Sequence, residues 1–219
     1  MSETFKELCL FVILKVRSEH YASYLKAMQD EVSGARSEPG NLGFDLFEDT
    51  ERPNVLYLLE HWASRGALQH EHACQSYYRT VRAMEAQALD GDIHERQLEE
   101  IEPNRPRDSS VKSVGGAFAQ VITLESGDDG IIAMLDKVFR ETAASLRQFI
   151  GNRTLSMFRN LENPHERLLL DIWSDEASRD MAWGQVGARG LAKLLEDTRW
   201  SGKTMFRLGD RGNDFIGWG

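Results

Sequence analysis

The sequence repeats itself once. Adding 111 to each residue number carries Gly40–Trp62 onto Gly151–Trp173 without a gap. Gly40 and Asn41 fall on Gly151 and Asn152, and Phe47 falls on Phe158. Glu51 and Pro53 fall on Glu162 and Pro164, and Leu58, Leu59 and Trp62 on Leu169, Leu170 and Trp173. Eight of these 23 positions are identical, where ordinary residue usage would give roughly one or two. The same offset carries Lys26 onto Lys137, Arg36 onto Arg147 and Met28 onto Phe139. So long a period excludes a solenoid and points to a duplicated unit of roughly a hundred residues.

Each copy predicts the same order of elements. Leu8–Val16 is a nearly continuous apolar run, which suits a strand covered on both faces, although periodicity alone also admits a helix. Its counterpart is Ala117–Leu124. Tyr21, Tyr24, Leu25, Met28, Val32 and Ala35 then recur at helical spacing, with Ser18 as N-cap and Pro39-Gly40 as the stop. In the second copy the stripe is Ile132, Leu135, Phe139, Ala143, Leu146 and Ile150, behind Asp128 or Asp129 and ended by Gly151. Two strands and a polar turn follow: Phe44–Glu48 and Val55–Trp62, then Leu155–Arg159 and Leu168–Trp173. A second helix is predicted from Ser64 and from Ser174, with a last strand near Ile93–Ile101 and over Lys203–Leu208.

The order β-α-β-β-α-β is that of a ferredoxin-like unit. The expected fold class is therefore α+β, with tandem ferredoxin-like units. The face of each sheet that its helices leave open is still apolar, so it needs a second sheet against it, and two copies on one chain supply one. Domain one is expected over 1–102, a linker over 103–114 and domain two over 115–219. Pro103 and Pro106 favour an extended path for the linker, and Gly115-Gly116 reads as a hinge.

Composition narrows the partners. Asp and Glu number 35 against 26 Lys and Arg, a net charge of −9, and no dense basic cluster occurs. Nucleic acid and an anionic membrane surface are thus not expected partners. The longest apolar run, Leu8–Leu14, is far short of the roughly 20 residues of a membrane helix. Met1–Glu7 lacks the basic and apolar segments of a signal peptide, so a cytoplasmic location is expected. Cys9 and Cys74 have no paired spacing, and Cys9 reads as a buried thiol. No phosphate loop, nucleophile elbow or His-Glu-x-x-His pair is present, and no metal site is expected. The tail, Arg211–Gly219, carries Phe215 and Trp218, which need cover from the body or from a second chain.

Two stretches resemble the antibiotic-biosynthesis monooxygenase family: Ala35-Arg36-Ser37-Glu38-Pro39-Gly40-Asn41-Leu42-Gly43-Phe44-Asp45-Leu46 and Leu59-Glu60-His61-Trp62-Ala63-Ser64-Arg65-Gly66-Ala67-Leu68. The resemblance covers about residues 6–102, and the second copy keeps the Gly, Pro and Trp landmarks. It implies a dimeric α/β-barrel, here formed within one chain, with a homodimer as a candidate assembly. It also implies a small-molecule ligand, no bound cofactor, and cofactor-independent oxygenation of an aromatic or quinone-like compound. The alternative is a non-catalytic binding or interaction protein that keeps the barrel. The family's quinol oxygenases commonly carry Asn four residues before the strand-end Trp, where this chain has Leu58 and Leu169. The helical His that commonly stands nine residues after that Trp is Glu71 here, flanked by His70 and His72. The haem-degrading branch needs an Asn in the first strand and an iron-ligating His near Val81 or Ala192, and this chain has neither.

Such an oxygenation needs a base, donors aimed at the developing anion, and a dry pocket. The catalytic candidates are His70 and His72, which cannot share a helix face; His72, four after Leu68, leans to the buried side. The substrate-binding candidates are Tyr57, Trp62 and Tyr77 in copy one, and Trp173 and Trp183 in copy two. Each also has a packing reading: Trp62 and Trp173 serve equally as core plugs, and the histidines as solvated surface groups. His61, next to Trp62 on a strand, is expected on the opposite face.

Overall fold

Alternation along the strands decides which side chains meet the helices. The computed structural model describes residues 7–102, 118–185 and 187–211. The expected linker, the Gly115-Gly116 hinge and nearly all of the tail, with Phe215 and Trp218, lie outside the described residues. The chain divides into two units, one running to Leu98 and rejoined by Asp210 and Arg211, the other spanning Glu99–Gly209.

Unit one contains β1 (Leu8–Lys15), α1 (Tyr21–Ala35), β2 (Asn41–Asp49), β3 (Val55–Trp62) and α2 (Ser76–Ala88). It also contains most of β4 (His94–Ile101), and its antiparallel sheet runs β4-β1-β3-β2. Leu8, Leu10, Val12 and Leu14 face the helices together with Phe44, Leu46, Leu56 and Leu58. They pack on Tyr24, Met28, Val32, Ala35, Val81 and Ala88. The residues between them, among them Cys9, Phe11, Phe47, Tyr57 and Leu59, point the other way and are buried too. That double burial is why β1 reads as an unbroken apolar run.

Unit two repeats the plan with β5 (Phe118–Glu125), α3 (Asp129–Arg147), β6 (Asn152–Asn160), β7 (Glu166–Trp173), α4 (Glu176–Trp183), α5 (Arg189–Leu195) and β8 (Gly202–Asp210). Its sheet runs β8-β5-β7-β6. Leu135, Phe139, Ala143 and Leu146 of α3 pack on Leu155, Met157, Leu169 and Trp173. Each of the buried Leu, Met and Phe side chains among them contributes about 1.5–3 kcal/mol relative to exposure.

The duplication extends to details of the backbone. Asn41 stands opposite Trp62 and a bulge follows before Gly43; Asn152 stands opposite Trp173 and a bulge follows before Thr154. Arg36 Nε donates to the Phe44 carbonyl at 2.8 Å, and Arg147 Nε to the Leu155 carbonyl at 2.9 Å. Each arginine ties the end of its helix to the strand that follows. Gly151 ends the turn after α3 with φ of 92°, a conformation that only glycine adopts without strain.

Three expectations are corrected. Ser18 does not cap α1: a 3₁₀ turn over Ser18–His20 comes first, and the Ser18 hydroxyl accepts from Asn54 instead. No helix begins directly at Ser64. Ser64 Oγ accepts the Ala67 N–H at 3.1 Å and starts a wide π-helical turn over Ala67–Glu71. A 3₁₀ turn over His72–Cys74 follows, and α2 starts at Ser76. In unit two the cap is Asp175, whose side chain accepts the Ser178 N–H at 2.7 Å, so α4 starts at Glu176 and not at Ser174. Asp128 caps α3 by accepting the Gly130 N–H at 2.8 Å. No helix among the described residues is long and apolar enough to cross a membrane.

Candidate functional site

The end of β3 reads Leu58-Leu59-Glu60-His61-Trp62. Alternation puts Glu60 and Trp62 on the helix face and His61 on the other, where His61 Nε2 lies 2.9 Å from Glu7. Glu60 is a buried carboxylate whose cross-strand neighbours are Leu10 and Phe44. Its Oε2 accepts from Trp62 Nε1 at 2.9 Å. Burial pushes the Glu60 carboxyl up to about 7. The indole bond and the charges of His72 and Arg82 lower it, Glu31 raises it, and burial prevails.

The wide turn after β3 lays His72 over Trp62, with ring centroids 4.6 Å apart. Phe44 and Tyr78 complete the aromatic surround, at 5.9 and 5.0 Å from the His72 ring. Both ring nitrogens face carboxylates: Nδ1 is 2.7 Å from Glu38 Oε1 and Nε2 is 3.3 Å from Glu31 Oε1. Burial alone would favour neutral imidazole, but the bonds to Glu31 and Glu38 outweigh it and raise the pKa. His72 is thus held as an imidazolium between two acids. Tyr77 Oη donates to the same Glu38 oxygen at 2.6 Å, and burial together with that bond keeps the phenol protonated. Arg82 of α2 lies over the Tyr78 ring at 4.8 Å and pairs with Glu85. Tyr24 Oη, Glu31 Oε2, Glu38 Oε2 and Arg82 Nε are buried with no hydrogen-bond partner among the described residues.

Of the residues expected from sequence, Trp62, His72 and Tyr77 come together here. His70 is exposed on the wide turn. Tyr57 lies on the opposite face of β3, stacked on Phe11, donating to Asp49 at 2.6 Å and accepting from Arg52 at 2.8 Å. Trp173 and Trp183 belong to the core of unit two. Sequence reasoning missed Tyr24, Glu31, Glu38, Glu60 and Arg82. One signal was available for Glu60: the offset of 111 carries it onto Asp171, so both copies hold an acid two residues before the strand-end Trp.

The equivalent place in unit two is closed by charge. Asp171 accepts from Trp173 Nε1, as Glu60 does from Trp62. It also accepts from Gln120 Nε2 at 2.8 Å and from Arg179 Nε at 3.3 Å. The Arg179 guanidinium lies over Phe118 at 5.4 Å and Trp183 at 5.3 Å. No group of three or more His, Cys, Asp or Glu side chains among the described residues is arranged to hold a metal ion.

Residues 9–83 match the family model described as antibiotic biosynthesis monooxygenase. A curated relative, "Putative monooxygenase YcnE" of Bacillus subtilis (strain 168), is 34% identical over 56 residues, which is 26% of this chain and 59% of the relative. The match therefore spans less than two thirds of that relative's length. Among solved structures, a "putative monooxygenase" of Fusobacterium nucleatum superposes with a TM-score of 0.77 at 15% identity, covering 96% of this chain and 94% of its own. Another of that description, from Lactobacillus acidophilus, gives 0.77 at 12% identity, covering 95% of each chain. At these identities the likeness is one of fold, and it extends over both units. Residues 9–83, which carry Glu60, Trp62, His72 and Tyr77, match the antibiotic biosynthesis monooxygenase family model, within a chain of tandem ferredoxin-like α+β units.

Proposed function

We propose that unit one is a cofactor-independent monooxygenase site for an aromatic or quinone-like small molecule, seated on the helix face of β3 beside Trp62. The observation that carries this reading is the set of buried atoms without partners, Tyr24 Oη, Glu31 Oε2, Glu38 Oε2 and Arg82 Nε, around the Trp62–His72 pair. Buried polar atoms are nearly always bonded, so a cluster of orphans beside flat aromatic surfaces fits a place that a planar polar ligand fills. The monooxygenase descriptions of the similar proteins support the same reaction class.

In this chemistry the substrate supplies the electrons. Loss of a proton gives an anion that reduces O₂; one oxygen atom enters the product and the other leaves as water. The protein contributes a proton acceptor and, through His72 and Arg82, positive donors near the developing charge. Unit two, with Asp171 already neutralised by Arg179, is assigned a structural role.

A thermal-shift screen with hydroquinones, naphthols, anthrones and haemin, with oxygen uptake followed for each hit, tests the reading. A ligand of the native state raises the melting temperature. The expected result is stabilisation by an aromatic compound with oxygen consumption, both lost in Trp62→Ala. Stabilisation without oxygen consumption would assign the site to a binding protein. No stabilisation and no consumption would remove the reading.

A further inference from the structure

Resting on that reading, we infer that Glu60 is the proton acceptor of the site, taking the hydroxyl proton of a phenol or quinol on Oε1 while His72 and Arg82 face the resulting anion. The argument starts from availability. His72 has both nitrogens committed to Glu38 and Glu31 and has no lone pair to offer. His70 is exposed. Tyr77 already donates to Glu38. Glu60 differs from all of them: Oε2 is fixed by the Trp62 indole, and among the described residues Oε1 has no hydrogen bond.

The second copy supplies the internal comparison. There the matching carboxylate has three donors, Trp173, Gln120 and Arg179. In unit one two of the three are missing, and the position is otherwise kept, down to the indole bond from the next residue but one on the strand. A buried acid stripped of its cation is destabilised as an anion, which raises its affinity for a proton. The charges that act on it are those of Glu31 from α1, His72 from the 3₁₀ turn and Arg82 from α2. Leu10 and Phe44 stand on the neighbouring strands. Tyr24, fully buried with an unpartnered hydroxyl, couples to the same Glu31 and Arg82.

The step balances. The substrate O–H bond breaks, the proton goes to Glu60 Oε1, and the electron pair stays on the substrate oxygen. The charge within the site is unchanged by this transfer, so no additional charge has to be buried. The substrate anion reduces O₂, the oxidant of the proposed reaction; the proton held on Glu60 returns to the reduced oxygen, and the hydrogen displaced as a proton from the oxygenated carbon completes the departing water.

Glu60→Gln keeps an acceptor for Trp62 and removes the titration. The first probe is 2-naphthol, whose anion is told from the neutral form by its near-ultraviolet absorption, held at a pH above the Glu60 titration and below its own ionisation in water. The expected result is that wild-type protein binds it as the anion and Glu60→Gln binds it as the neutral phenol, with affinities within about threefold. With 1,4-naphthohydroquinone, the variant should lose roughly 100-fold or more in the rate of oxygen uptake, with KM within about threefold. Equal ionisation of the probe in both proteins, or an unchanged rate, would overturn the role of Glu60 and leave the monooxygenase reading standing. Failure of wild-type protein to bind either compound or to consume oxygen would overturn both. Should the variant not fold, the wild-type pH profile decides: a rate that falls on acidification through the titration of one carboxyl agrees with the inference, and a flat profile contradicts it.

Discussion

The Tyr77 ring occupies the place where a side chain on Gly34 would begin: a Cβ built there would lie 2.3 Å from Tyr77 Cε1. α1 and α2 approach this closely only because Gly34 presents bare backbone, and the approach sets Tyr77 Oη on Glu38. Gly34→Ala gains about 1 kcal/mol of helix propensity and loses more through the clash, so the expected net effect is a loss of about 1–2 kcal/mol. Thermal unfolding measures it, and Gly34→Ala combined with Tyr77→Ala should recover part of the loss. A single variant more stable than wild type would contradict the close contact.

Glu60 gives a pH dependence with a defined sign. Its carboxyl is raised from 4.5 to about 7 by burial. Between those values the folded protein holds a proton that the unfolded chain has released. Stability therefore falls as pH rises through that window, by about 3 kcal/mol in all, and the penalty is constant above it. In Glu60→Gln this contribution disappears. The variant should gain stability relative to wild type between pH 4 and pH 8, as read from urea unfolding at each pH. Parallel curves for the two proteins would show that Glu60 is not protonated in the native state.

On the opposite face of β3, Tyr57, Asp49 and Arg52 are joined by hydrogen bonds. Tyr57→Phe removes the hydroxyl that donates to the buried Asp49 and accepts from Arg52. The expected cost is about 1–3 kcal/mol in urea unfolding. The shape of the pH–stability curve between pH 4 and pH 8 should stay as in wild type, because Glu60 faces the other way.

In unit two, Arg179→Ala leaves Asp171, fully buried, without its cation. A loss of about 2–4 kcal/mol is expected, since an uncompensated buried charge is the costly outcome of breaking such a pair. Arg179→Ala with Asp171→Asn should be less destabilised than the sum of the two single changes. A strictly additive pair would mean that the ion pair contributes no coupling.

The fold was legible in this sequence because it is written twice. The shared offset fixed the hairpins, and the runs around Leu8 and Phe118 needed burial on both faces, which the structure provides. The polar β4 was placed by its counterpart in the other copy, since its own residues alternate too weakly to announce a strand. The site was legible only where a side chain carried an obvious chemical signal, as with Trp62, His72 and Tyr77. In a linear reading Glu31 looks like an ordinary helix-surface acid and Glu38 like an ordinary turn acid. They are buried because the wide turn at Ala67–Glu71 swings His72 inward onto them, and nothing in local periodicity predicts a π turn there. His70 and His72 could be separated by face, and the structure exposes the first and buries the second.

The Trp–carboxylate pair present in both copies has a consequence for symmetry. Two identical halves that both kept the Glu60 arrangement, as in a homodimer, would each hold a buried acid with no cation bonded to it, and the assembly would carry that penalty twice. Fusing the halves into one chain lets them diverge: Arg179 answers Asp171 in one, while Glu60 stays unanswered in the other. The tandem arrangement thus confines electrostatic strain to a single half and lets the other act as its stable counterweight.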